Sequence, residues 1–160
     1  MSNILRIFIA ICMLRAKPDD VPSSATLLGT TLAAYLLVNL ALASASLPLN
    51  KALLYALADT LVLCVLTHTL LLLRRLPARL TQTLTALAGT GALFGLVALP
   101  FAQLSELSPI LFSLLIWSVA VTAHILRHAL SVSFMMGVLA SFGYLFVALM
   151  VTAALFPPPG

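Results

Sequence analysis

Five apolar runs of roughly twenty residues each, at about 24–46, 50–73, 79–99, 109–127 and 132–156, leave this chain almost nothing else to fold. At 1.5 Å per residue each run can cross a hydrocarbon core about 30 Å thick. The chain is 62% hydrophobic and 8% charged, against roughly 25% charged residues in a soluble domain. A water-soluble fold of this length is therefore excluded. The expectation is an all-α membrane protein: one membrane domain over 1–160, built as a five-transmembrane-helix bundle with an N-terminal interfacial amphipathic helix over 1–17.

In that first segment Asn3, Arg6, Ala10, Met13 and Lys17 recur at helical spacing as a narrow, less apolar stripe, with isoleucine, leucine and phenylalanine over the remainder. Such a helix can rest along a membrane surface with its basic side chains toward headgroups. A signal peptide fits less well, because the run ends in Arg15-Ala16-Lys17-Pro18-Asp19-Asp20 without a small-residue cleavage site. Ser23 or Ser24 offers an N-cap to the first span, Asn50 to the second, and Ser108 ahead of Pro109 to the fourth. Pro157, Pro158 and Pro159 stop the last span.

Lysine and arginine orient the bundle. Arg6, Arg15, Lys17, Arg74, Arg75, Arg79 and Arg127 fall on one side and Lys51 alone on the other. Seven against one places the N-terminus in the cytoplasm and the C-terminus outside, in a bacterial inner membrane periplasmic. The net charge of +4 belongs to these loop ends, so nucleic acid is not an expected partner. Cys12, at the cytoplasmic surface, and Cys64, in mid-membrane, form no CxxC pair and are expected as free, small apolar residues.

Within the spans, Gly91 and Gly95 make a GxxxG pair, and Gly137 and Ser141 repeat the spacing of small residues in the last helix. Small residues four apart let helix backbones approach closely, inside one chain or between two copies. Asp59 lies about nine residues from the outer end of the second span, roughly 13 Å deep. An ionised carboxylate there costs at least about 2.5–3.5 kcal/mol, so it should find a donor, and Asn39 is at matching depth on the first span. His124 and His128, four apart, share a face of the fourth helix, and His68 on the second lies near the same level. Imidazoles from two helices can hold a metal or a bis-histidine haem, although no cysteine or carboxylate neighbours them in sequence. Trp117 sits mid-helix, where packing is its expected use. No GxSxG, HExxH, P-loop or GxGxxG is present.

The expected function is a non-enzymatic accessory or scaffold protein that binds membrane lipids, other membrane proteins or a second copy of itself, with no cofactor. One alternative is a small transporter or channel with Asp59 and Asn39 in a polar pathway. A second is an electron carrier holding haem or metal on His68 and His124, with His128 a less favoured ligand. Five spans with scarcely any loops resemble the Yip family of small Rab-interacting membrane proteins and their bacterial relatives. The stretches Ile11-Cys12-Met13-Leu14-Arg15-Ala16-Lys17-Pro18-Asp19-Asp20-Val21-Pro22-Ser23 and Gln82-Thr83-Leu84-Thr85-Ala86-Leu87-Ala88-Gly89-Thr90-Gly91-Ala92-Leu93 are similar to small uncharacterised inner-membrane proteins of proteobacteria. The resemblance implies a membrane component without assigned catalytic residues. The long cytoplasmic N-terminal region of eukaryotic Yip proteins is missing here, so GTPase binding is not carried over.

Overall fold

Each apolar run becomes a helix long enough to cross a membrane, and the protein is a multi-pass, all-helical bundle. The computed structural model describes residues 2–102 and 109–155. Ser108 and the three terminal prolines lie outside that range. A short helix α1 (Ser2–Cys12) precedes α2 (Ala25–Ser44), α3 (Leu49–Leu73), α4 (Leu80–Ala98), α5 (Pro109–Ala129) and α6 (Phe134–Leu155). Single 3₁₀ turns at Pro77–Arg79 and Leu99–Phe101 lengthen α4 at both ends.

Local chemistry explains most helix ends. The Ser24 hydroxyl accepts from the Leu27 N–H at 3.4 Å, capping α2. The second long helix begins earlier than expected, on Leu49 with Pro48 as the cap residue, so Asn50 lies inside the first turn. Proline suits that place because its missing N–H would have had no partner there. Three C-termini close on a residue with left-handed backbone: Leu14 (φ 60), Arg75 (φ 58) and Ser131 (φ 52). After each, the next N–H reaches back five residues, as in Arg15 to the Ala10 carbonyl, Leu76 to Leu71 and Val132 to Arg127. That is the Schellman arrangement, usually built on glycine.

The bundle is organised about α4, which packs chiefly on α2 and also touches α1, α3 and α5, while α5 pairs with α6. Half of the α4 span is buried, against 6% for α6. The run Thr83–Thr90 can be buried because its residues are small or apolar and its threonines bond back to their own helix. Thr83, Thr85 and Thr90 donate to the carbonyls four residues earlier at 2.7–2.8 Å. At one end of the bundle, Arg79 Nη1 donates to the carbonyls of His128 (3.0 Å) and Ala129 (3.1 Å) and to Ser131 Oγ (2.8 Å). A cation on the last carbonyls of α5 complements the negative end of its dipole. Gln82 Nε2 holds the Asp19 and Val21 carbonyls at the same end. The three arginine- and lysine-bearing connectors therefore share one end.

The N-terminal segment departs from expectation. It forms an amphipathic helix, but the helix ends at Cys12 rather than continuing to Lys17, and it does not stand apart from the bundle. Phe8 and Ile11 are buried, the Phe8 ring lying in the notch left by Gly89. Trp117 Nε1 donates to the Cys12 carbonyl at 3.0 Å, and His124 Nε2 bonds the Ala16 carbonyl at 3.0 Å. Trp117 is about 18 Å from the end of α5 and His124 about 8 Å. The chain thus runs in beside α4 and α5, turns on Leu14, and returns to the arginine-bearing end. Cys12, expected at the cytoplasmic surface, is instead half-buried at the level of Trp117.

Candidate functional site

A carboxylate in the middle of a span dictates its own surroundings, and α2 supplies them. Tyr35 and Asn39 are four apart and so share a face of α2. The Tyr35 hydroxyl donates to Asp59 Oδ2 at 2.6 Å and the Asn39 amide donates to the same oxygen at 3.0 Å. Both bonds are of the charge-assisted kind open to an ionised acceptor. Neither donor carries a charge.

This cluster borders a half-open cavity of ≈ 380 Å³ between the long helices. All five long helices line it: Tyr35 and Asn39 from α2, Leu63 from α3, Thr90 and Phe94 from α4, Ser118 and Thr122 from α5, and Tyr144 from α6. Gly91 and Gly95 form part of the α4 wall. A side chamber of ≈ 130 Å³ between α5 and α6 shares Ser118, Thr122 and Tyr144. The Tyr144 hydroxyl is buried and has no hydrogen-bond partner among the described residues, which is uncommon for a buried polar atom. Asp59 stands behind Tyr35 and Asn39, one side chain back from the wall. The volume lies within the range of small-molecule sites.

The other residues expected to act do so elsewhere or not together. His124 and His128 are edge to face with ring centroids 4.7 Å apart. A carbonyl can only accept, so His124 carries its proton on Nε2 toward Ala16. His128 Nε2 accepts from Arg127 Nε at 3.2 Å. His68 is exposed on α3, and no group of three metal-ligating side chains occurs among the described residues. His124 therefore ties the N-terminal segment to α5, while His128 pairs with Arg127 and His68 does not join them. Gly91 and Gly95 face Tyr35 and Val38 of α2, so the GxxxG pair packs within the chain. Gly137 meets α5 at the Ala123 carbonyl, and Ser141 bonds back to Val138 at 3.2 Å.

Tyr35 was legible in the sequence as the residue one turn from Asn39 on the same face. Tyr144 carried no such signal, since its place depends on how α6 is rotated. No protein-family model, curated protein or solved structure matches the chain.

Proposed function

We propose that the protein is a carrier for a small solute, set in a bacterial inner membrane with its N-terminus in the cytoplasm, and that this cavity is the solute site. The observation that carries this reading is the cavity itself. Bundle interiors close-pack, and a polar clamp between α2 and α3 would need no opening of ≈ 380 Å³ beside it. A lining of mostly apolar walls with a few convergent polar groups is what small-molecule sites look like. Asp59 is the group whose charge the solute or its counter-ion must balance, since intramembrane carboxylates are expensive to keep unless they act. The orientation rests on the seven-to-one distribution of basic residues.

The test is uptake into proteoliposomes of a panel of labelled amines, alcohols, amino acids and sugars. Asp59→Asn should abolish uptake while the protein stays monodisperse and helical, because an asparagine oxygen still accepts from Tyr35 and Asn39. Folded protein that moves none of the panel, and is recovered from native membranes bound to another membrane protein, would favour the accessory role instead. Orientation is tested separately: alkaline phosphatase fused after Gly160 should be active, and fused at Pro77 inactive.

A further inference from the structure

We infer that the solute is a small organic monocation, an ammonium or amidinium on a compact apolar body. The inference rests on the cavity being the solute site and follows from what its walls offer. Tyr35 gives its hydrogen to Asp59, so its oxygen is left only to accept. Thr90 and Ser118 give theirs to carbonyls of their own helices at 2.8 Å, and they too present acceptors. Asn39 has one amide hydrogen on Asp59 and keeps its second amide hydrogen and a carbonyl oxygen. Tyr144 has an unpartnered hydroxyl that can accept as well as donate. Of the side chains lining the cavity, none is lysine, arginine or histidine.

The result is a chamber rich in acceptors with an acid behind its wall and no fixed cation in it. Anions are disfavoured: a phosphate or carboxylate would meet the field of Asp59 with only neutral donors, such as the Asn39 amide and the Tyr144 hydroxyl, and no lysine, arginine or histidine in the lining to balance it. A neutral apolar molecule would fill the volume but leave the acceptors and the carboxylate as they were. A monocation supplies the missing charge. Tyr35 links the two: it lines the cavity and its hydroxyl is polarised by the short bond to Asp59, so the charge of Asp59 is felt through it. Tyr35, Phe94 and Tyr144 put three aromatic side chains around the same space, the residue type that attracts a cation.

The experiment measures equilibrium binding to the full-length protein in nanodiscs, corrected for protein-free nanodiscs. Three labelled probes of similar size are used: benzyltrimethylammonium, its uncharged isostere neopentylbenzene, and benzenesulfonate. The cation should bind at least tenfold more tightly than the isostere, and the sulfonate least. Asp59→Asn should bring cation and isostere within about twofold, and Tyr144→Phe should weaken the cation several-fold more than the isostere. Ser118→Phe, which puts a ring into the cavity, should weaken binding of both. Should Asp59→Asn fail to fold, the probe ratio in the unaltered protein still decides. Binding of the isostere as tight as the cation, weakened in Ser118→Phe, would overturn the cation assignment and leave the cavity as the solute site. If folded protein binds none of the probes, or Ser118→Phe has no effect on them, the cavity is not the solute site and both readings fall.

Discussion

Replacing Gly137 with alanine tests what holds the α5–α6 hairpin closed. A Cβ at that position would lie 2.6 Å from the Ala123 carbonyl oxygen and 2.8 Å from Arg127 Cβ, where ordinary contact begins at 3.4 Å. The shortfall is 3.4 − 2.6, or 0.8 Å. A backbone carbonyl inside a helix cannot rotate aside, so α5 and α6 must separate. Gly143, on the same helix, has nothing within 4 Å of its added Cβ. Both substitutions gain about the same helix propensity, up to about 1 kcal/mol, and it cancels in their difference. What remains is the overpacking term, about 1–3 kcal/mol. Gly137→Ala should therefore be less stable than Gly143→Ala by that amount when both are unfolded by adding dodecyl sulfate to maltoside micelles and followed by far-ultraviolet circular dichroism. A difference within about 0.5 kcal/mol, the scatter of unrelated sites, would mean that the hairpin gives way freely and the close approach at Gly137 holds nothing.

Three further outcomes follow from the same packing. Arg79→Ala should lose about 1–2 kcal/mol in that titration, because it uncaps α5 and unties it from the α3–α4 connector; Arg79→Lys should recover part of this, and an unchanged midpoint for Arg79→Ala would remove the bridge from the account. Arg75→Gly should gain about 1 kcal/mol by relieving a left-handed residue that has a Cβ, and a loss would mean that the Arg75 side chain contributes more than its backbone costs. In a Cys64→Ser background, Cys12 should react with N-ethylmaleimide more slowly in the folded protein than in the unfolded chain, because it is half-buried where its carbonyl meets Trp117 of α5; equal rates would show that the N-terminal segment does not dock there.

What could be read in advance divides along physical lines. Span lengths and turns are local properties, set by apolar runs and by Pro48, Pro77 and the arginines, and the helices fall close to the expected limits. The Asn39–Asp59 contact was reachable by counting depth, because two polar groups at one level of a bundle have few other partners. Rotation about a helix axis is not local. Depth put His68 level with His124, but His68 faces outward while His124 faces the N-terminal segment. The same limit hid the cavity, whose shape depends on five helices at once, and the return of the chain at Leu14. That turn uses a left-handed leucine where a glycine would have advertised it.

The third apolar run shows how a packing pattern becomes a site. Gly91 and Gly95 are four residues apart and so share a face, whereas Gly89 is two residues from Gly91 and about 200° around the helix. Read alone, the pair suits two identical helices as well as it suits one chain. In the fold the two faces serve different neighbours: Gly89 receives Phe8 of α1, while Gly91 and Gly95 receive Tyr35 and Val38 of α2. A Cβ on Gly91 would stand 2.6 Å from the Tyr35 ring, so α2 can come this close only because α4 has no side chain there. That closeness fixes the ring against α4 with its hydroxyl 2.6 Å from Asp59 on α3. The glycines do not touch the carboxylate. They set the helix separation at which a tyrosine on α2 reaches an acid on α3 while still forming the wall of the cavity.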